Sequence, residues 1–497
     1  MARVTAGGKT VQVPEGTLLR DALPEGVRLP LPCGGQGRCG KCRVTAAGRL
    51  SPPSPEELRL LSREELSAGV RLACRARVLG DCVLTLPEQG ESQIQLEADL
   101  PPFPLDPVFR RYGAAIDLGT TTLAAQLWDR SGRLLAQASC PNPQSHWGAD
   151  VISRIQAALE GQGKTLAQAA RQGISRLLLE LAQGAGIPPE EIDLAAVTGN
   201  TAMLTLLTET GPEPLSHAPF APSRLFGEVL PAAALGLPCS QAQVALSPCV
   251  SAFVGGDVTT ALLASSLCEG QGTKLLADIG TNGEIALWHE GKLTCASTAA
   301  GPAFEGAGLS MGMEGRAGAI AHVRAANGQL WPQVIGGGEP QGLCGSGVID
   351  ALACLLELER MDETGLLEED PAPIAGRVCL SQRDVRMVQL AKSAVCAGLL
   401  TLLRREGVSL SQVEELVVAG GFGSYLNVKN AGRVGLLPPE LVPRVRVAGN
   451  AALAGAGMLL LSREGLERAK DLAARAQAED LSGDPVFAQL YTDNMFF

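Results

Sequence analysis

Two groups of residues in this 497-residue chain have the types and spacing to do chemistry. The first is a set of four cysteines. Cys33, Cys39 and Cys42 read C-x5-C-x2-C, and Cys74 follows after 31 intervening residues. Four thiolates drawn from one loop and one distant turn can hold an iron–sulfur cluster or a zinc ion. Zinc ribbons use two separated C-x-x-C knuckles, and only one is present here, so the spacing favours the cluster. The loop reads CGGQGRCGKC. Its glycines let the backbone wrap an inorganic core and turn N–H groups toward sulfur. Cys82 is the one credible substitute for Cys74 as fourth ligand, but its alternating context reads as a small core residue.

The second group is a repeated turn. AAIDLGTTTLAAQLWDRSGRLLAQA begins at Ala114 and LLADIGTNGEIALWHEGKLTCAS at Leu275. Each opens with an apolar strand ending in Asp-x-Gly-Thr, at Asp117–Thr120 and Asp278–Thr281. Gly119 and Gly280 let the backbone approach a phosphate. The hydroxyls and N–H groups of Thr120, Thr121, Thr281, Asn282 and Gly283 then cradle its oxygens. Asp117 and Asp278 are the candidate catalytic residues, placed to hold Mg²⁺ through water. Asp257, after Gly255-Gly256, is either a third metal-facing carboxylate or a helix N-cap. The strand Glu415–Gly420 leads into GGFGSYLN, where Gly420, Gly421 and Gly423 leave space for an adenosine face. One such turn alone is an ordinary β-turn. The matched pair argues for two homologous halves gripping one ATP.

Other motifs rank lower. VTGNTAM at Val197 and VAGNAAL at Val447 echo one another. Gly301–Gly306 and Gly342–Gly347 are glycine-rich loops expected to line the cleft, with Cys344 structural. GQGKT (Gly161–Thr165) ends like a P-loop, but Ala158 stands where the first glycine is required and the segment follows a helical pattern.

These groups need elements to hold them. Gly7-Gly8 between Arg3–Ala6 and Thr10–Pro14 predicts a hairpin. Gly16–Ala22 predicts a short helix. Pro55–Leu61 predicts another, with Ser54 as N-cap and Glu57 at the capping-box offset. Val78–Leu86 reads as a closing strand. The length predicts roughly three domains. The divisions are 1–90 for the cysteine domain, 91–112 for a Pro-rich linker, 113–268 and 269–470 for the two halves, and 471–497 for a tail. A net charge of −11 argues against nucleic acid. No uninterrupted apolar run reaches the ~18 residues of a membrane span, and the N-terminus lacks a signal-peptide core. A soluble, cytoplasmic protein with reduced thiols is expected.

CGGQGRCGKC with Leu72–Arg75 resembles the 2Fe–2S ferredoxin domain. The paired turns resemble those of actin, the sugar kinases and the heat-shock ATPases. The implied fold is an α+β β-grasp ferredoxin domain followed by an α/β actin-like ATPase with two duplicated ribonuclease-H-like halves. Nearly end to end, the chain resembles the reductive activators of corrinoid proteins. The cluster loop, NPQ with GADVISRI, TGNTAM, DIGTNGE, GLCGSGVIDA, AGGFGSYLN, GNAALAGA and NMFF carry that likeness. The resemblance implies ATP-dependent return of a Co(II) corrinoid protein to Co(I) for methyl transfer, with a 2Fe–2S cluster, ATP and Mg²⁺ as cofactors. It also implies a corrinoid-protein partner, a low-potential electron donor and a homodimer. Longer members carry an extra domain between ferredoxin and ATPase, where only 91–112 stands here. No C-terminal C-x2-C-x2-C-x3-C-P pattern occurs, so one cluster is expected. Two alternatives stay open at this point. One is a ferredoxin-type carrier with a nucleotide-sensing actin-like domain. The other is an ATP-dependent activator of another low-potential metalloenzyme.

Overall fold

A computed structural model describes residues 1–24, 27, 29, 31, 35–37, 40–86, 96, 100–422 and 425–497. The chain forms two compact units. One comprises Met1–Gly90 with Pro143–Ala169, the other Glu91–Asn142 with Ala170–Phe497. Residues 143–169, which sequence patterning assigns to the first half, therefore group with the cysteine domain.

In the first unit the glycine turn joins β1 (Ala2–Ala6) to β2 (Lys9–Val13), in register from Ala2–Val13 to Ala6–Lys9. With β3 (Arg43–Leu50), β4 (Val70–Leu72) and β5 (Val78–Thr85), the sheet order is β2-β1-β5-β3-β4. The β1–β5 pair is parallel and the others antiparallel, as in a β-grasp. Ala2, Val4 and Ala6 alternate into the core. The expected helix at Gly16–Ala22 shrinks to one 3₁₀ turn, Leu19–Asp21. Gly16 donates instead to Val78 O, so strand contacts compete with helix there.

The helix Pro55–Leu60 starts as expected, with the Ser54–Glu57 capping box complete. Glu57 does more than cap. Its fully buried carboxylate accepts from Arg71 Nε at 2.9 Å and Arg71 Nη2 at 3.0 Å, and from Leu72 N–H at 3.0 Å. It thereby ties this helix to the turn that carries Cys74.

The second unit holds two matched sheets. The first contains β6 (Tyr112–Leu118), β7 (Thr122–Asp129), β8 (Leu134–Pro141), β9 (Ile192–Thr198), β10 (Val229–Pro231) and β11 (Gln243–Leu246). Its order is β10-β11-β9-β6-β7-β8. In the second, β12 (Thr273–Ile279), β13 (Gly283–His289) and β14 (Lys292–Thr298) form the meander. A small sheet of β15 (Ala319–Ala326), β16 (Gln329–Val334) and β17 (Gly342–Leu343) follows, then the hairpin β18 (Ala372–Ala375) and β19 (Val378–Leu380). β20 (Val413–Ala419), β21 (Val445–Val447) and β22 (Gln477–Glu479) complete the order β21-β20-β12-β13-β14-β22. Thus β11-β9-β6-β7-β8 and β21-β20-β12-β13-β14 are the same arrangement: an antiparallel meander with two parallel strands on one side. That is the duplicated ribonuclease-H-like half. β6, β7, β12 and β13 are buried almost continuously because helices cover both faces.

The described part of the Pro-rich stretch lies along the second unit. Leu100 and Phe103 pack beside Trp128 and Leu453, and Asp106 N–H donates to Leu461 O at 2.9 Å. The helix Gln382–Arg405 is long and apolar enough by composition to cross a membrane. Its most apolar stretch is 78% buried within the protein, and the helix carries Arg383, Asp384, Arg386 and Lys392. The tail packs on it: Gln389 Nε2 donates to Met495 O at 2.9 Å, and the Phe497 ring lies 5.1 Å from Lys392 Nζ.

Glu57→Gln should cost the first unit about 3 kcal/mol, because it strands the buried Arg71. Burial alone would raise the Glu57 pKa, but Arg71 and the Ser54 and Leu72 N–H groups outweigh it and hold the carboxyl below its ordinary 4.5. The ionised carboxylate therefore stabilises this unit above about pH 4.5, and that contribution is lost as pH falls through the lower folded value. Thermal unfolding followed at pH 4 and pH 7 checks both statements: the variant should lose stability at pH 7 and differ less from wild type at pH 4.

Candidate functional site

The cysteine site is built by two turns. Cys42 leads into β3 and Cys74 follows β4, and Ala73 N–H donates to Cys42 O at 2.9 Å. The two buried sulfurs stand 3.3 Å apart, too far for a disulfide and close enough to ligate one metal centre. Cys33, Cys39 and Gly34 lie outside the described residues. Gly37 sits at φ +70°, and a Cβ there would run into the Arg75 guanidinium, which itself donates to Gln36 O. Only glycine allows that approach. Cys82 sits on β5 opposite Val4 and Gly48, and burial first, then Asp81, raises its pKa. It behaves as a small core residue.

The second site is a cleft in the second unit. Asp117 ends β6 and Asp278 ends β12, so the duplicated sheets deliver both to one recess with Gly119, Thr120, Thr121, Asn200, Asp257, Gly280, Thr281, Asn282, Glu284, Glu305, Gly420, Gly421 and Asn450. All the predicted cleft residues meet here except two. Gly283 lies within β13 beside Thr298, where a side chain would collide with Thr298 Oγ1, and Gly423 lies outside the described residues. Gly420 has φ +94°, and a Cβ on it would approach Asp278 Oδ1 to 2.6 Å. That glycine backs the carboxylate directly.

Asparagines hold the first turn. Asn142 Nδ2 donates to Gly119 O at 2.8 Å and Asn142 N–H to Thr121 O at 2.7 Å. Asn200 caps the helix Thr201–Leu207 and donates to Thr120 Oγ1 at 3.0 Å. Asn450 caps Ala451–Leu461 and donates to Asp117 Oδ2 at 2.9 Å. The two Gly-Asn turns echo in sequence but not in topology. Asn200 follows β9, whose counterpart is β20, whereas Asn450 follows β21, whose counterpart is β11. Both nonetheless grip the first turn.

The recess is electrostatically crowded. Burial, opposed by Asn450, raises Asp117 to about 6. Burial, then the Asp117 charge, raises Asp257 to about 7, and burial with Asp257 and Asp117 raises Asp278 to about 7. Glu284 is pushed up by burial and by Asp257 and Asp278. Sequence reading missed Glu284 because only the β12–β13 register sets it opposite Asp278. Asp257 Oδ1 does accept from Val258 N–H at 2.8 Å, so its helix-start role is real as well. Among the described residues no three acidic, His or Cys side chains converge into a ready coordination shell.

The loop Gly301–Gly306 lines the cleft as expected, through Glu305, a residue its sequence did not single out. The Glu305 oxygens accept from Thr121 Oγ1 at 2.6 Å and Thr281 Oγ1 at 2.7 Å, one hydroxyl from each repeat. A second recess adjoins, sharing Thr121, Glu305 and Gly421 and lined by Phe304, Met313, Cys344, Phe422 and Tyr425. Phe304 and Phe422 stack there at 5.1 Å. A polar recess joined to an aromatic one suits phosphates at one end and a flat base at the other. The remaining thiols are not part of either site. Burial pushes Cys140 and Cys354 to about 11 and Cys249 and Cys396 to about 12, which keeps them protonated and inert.

The carboxylates raised above their ordinary values destabilise the ligand-free fold as pH climbs: their contribution is intact below about pH 4 and is lost as pH rises through 6 to 7. Asp278→Asn should therefore raise the melting temperature of the ligand-free protein at pH 8 and change it much less at pH 4, as differential scanning calorimetry can measure.

Three family models match the chain. Residues 4–79 match the 2Fe–2S iron–sulfur cluster binding domain, 112–269 the RACo middle region, and 272–497 the C-terminal ASKHA domain of RACo. The corrinoid activation enzyme RamQ of Eubacterium limosum is 37% identical over 419 residues, covering 78% of this chain and 70% of that protein. The [Co(II) methylated amine-specific corrinoid protein] reductase of Methanosarcina barkeri is 26% identical, over 74% of each chain. A solved reductive activator for corrinoid, iron–sulfur protein superposes with a TM-score of 0.73 at 28% identity, covering 100% of this chain and 98% of that one.

Proposed function

The chain belongs to the reductive activators of corrinoid proteins, and we propose that it couples ATP to one-electron return of a partner's Co(II) corrinoid to Co(I). The reading rests on one observation above others: a cluster domain and a paired-turn cleft lie in one chain, with family likeness along its whole length. When bound, a 2Fe–2S cluster supplies a single low-potential electron. We assign Cys33, Cys39, Cys42 and Cys74 as its ligands, supported by the 3.3 Å approach of Cys42 and Cys74. The Glu57–Arg71 pair and the Ala73–Cys42 hydrogen bond keep the two described thiols in place.

For ATP, we assign Gly119, Thr120 and Thr121 to one side of the phosphates and Gly280, Thr281 and Asn282 to the other, with Gly283 packed within β13 instead. We assign Gly420 and Gly421 to the adenosine end, Gly423 of the same motif lying outside the described residues. Asp117 and Asp278 are the proposed catalytic carboxylates. Together with Asp257 they would hold Mg²⁺ through water, the chemistry that carboxylates without a closed shell favour. Their raised pKa values support this, since a divalent charge offsets the burial, and for Asp257 and Asp278 the neighbouring charge, that raises them.

Nucleotide can drive an uphill transfer only by binding two states of the machinery unequally. Each ~59 mV of deficit costs a factor of ten in equilibrium, so a few tenfold differences in affinity suffice. We place the protein in the cytoplasm, where its thiols stay reduced. A low-potential donor would reload the cluster, and a second copy of the chain is the implied partner in a homodimer.

Anaerobically purified protein should show the 2Fe–2S absorption and EPR spectrum, and Cys42→Ser should abolish it. Asp278→Ala should stop ATP hydrolysis and keep the spectrum. Reduced protein with MgATP should convert a Co(II) corrinoid protein from the same genomic neighbourhood to Co(I), read at the Co(I) absorption band. Conversion that proceeds equally without ATP would leave only the electron-carrier reading.

A further inference from the structure

Glu305 stands between the two phosphate-binding turns and engages both. It ends the 3₁₀ turn Pro302–Glu305, flanked by Gly301 at φ +78° and Gly306 at φ +72°. Phe304 beside it is buried and stacked on Phe422. With Phe304 anchored on one side, Glu305 points to the other. There Oε2 accepts from Thr121 Oγ1 and Oε1 from Thr281 Oγ1.

The turns do not need this carboxylate to hold their shape. Asn142, Asn200 and Asn450 fix the first turn. In the second, Gly280 N–H donates to Asn282 O at 3.0 Å, and Gly420 backs Asp278. Glu305 is thus an anion placed on two hydroxyls whose turns are already held by other groups.

We propose that Glu305 is a tethered competitor for the phosphate site, and so sets nucleotide affinity and product release. This rests on the nucleotide reading given above. The chemistry is a matter of proton count. Each threonine hydroxyl has one hydrogen to donate. It cannot serve the Glu305 carboxylate and a phosphate oxygen at once. Nucleotide entry must break both Glu305 bonds, and the released carboxylate then faces a polyphosphate of like charge. When product phosphates leave, Glu305 reclaims the hydroxyls, at the high effective concentration of a tethered group. Its place at the junction of the polar and aromatic recesses means that any nucleotide spanning them passes it.

The test uses the full-length protein with its cluster, as wild type, E305Q and E305A. Affinities for ATP and ADP are measured by calorimetry, and release of a fluorescent ADP analogue by stopped flow. Both variants should bind ATP and ADP about tenfold more tightly or better, equivalent to ~1.4 kcal/mol, and release ADP correspondingly more slowly. A brace or an ordinary contact residue would give the opposite sign, because its loss weakens binding. Melting temperature and the 2Fe–2S spectrum verify the fold, and the isosteric E305Q keeps the test intact if E305A fails to fold. Variants that fold normally but bind no more tightly than wild type overturn this inference alone. A wild-type protein that binds no nucleotide overturns the nucleotide reading and this inference with it.

Discussion

Asp117, Asp257, Asp278 and Glu284 share one recess, and each is driven toward its neutral form by burial and most by a neighbour's charge. Much of the second unit can be understood as what is needed to hold them there. Two sheets end at the same point, so their last residues face a common space. Gly420 gives up a side chain to let Asp278 sit against it, and Asn450 spends its amide on Asp117. Such crowding works against folding when no cation or ligand is present. A ligand that neutralises it therefore stabilises the folded state by mass action. Sites that oppose stability in this way are characteristic of function rather than packing.

Duplication has not left the halves equivalent. The first turn is clamped by three asparagines, one of them from the second half's helix Ala451–Leu461. The second turn is held by its own backbone and has Glu284 across the strand pair, where the first half has Ala124. The second turn thus carries an extra carboxylate across its strand pair, and the first the amide support. Glu305 is the group that touches both.

The electron-carrying chemistry has a different physical basis. Its two described cysteines, Cys42 and Cys74, are held by one buried ion pair, Glu57–Arg71, with every carboxylate oxygen engaged. The chain passes between the two units three times, at residues 90/91, 142/143 and 169/170. The middle passage begins at Asn142, whose backbone and side chain are both bonded to the first phosphate turn. Residues 143–169 then join the cluster unit, an assignment that strand patterning did not suggest because the segment is helical and continues the first half in sequence.

What the sequence determined by itself was local. Cysteine spacing, the doubled Asp-x-Gly-Thr turn, the Ser54–Glu57 box and the strands around Trp128 and Trp288 depend on neighbours a few positions away, so periodicity and residue type suffice to read them. Even there, tertiary contact overrode propensity at Gly16–Ala22, where strand hydrogen bonds replaced most of a helix. Only the tertiary structure decided the rest. Glu284 meets Asp278 through strand register, and the Gly-Asn turns of similar sequence occupy different places in their halves. Glu305 joins hydroxyls 184 and 24 positions away. A carboxylate in a glycine-rich loop has no local signature of its partners. Its role follows from long-range geometry, which no short window of residues encodes.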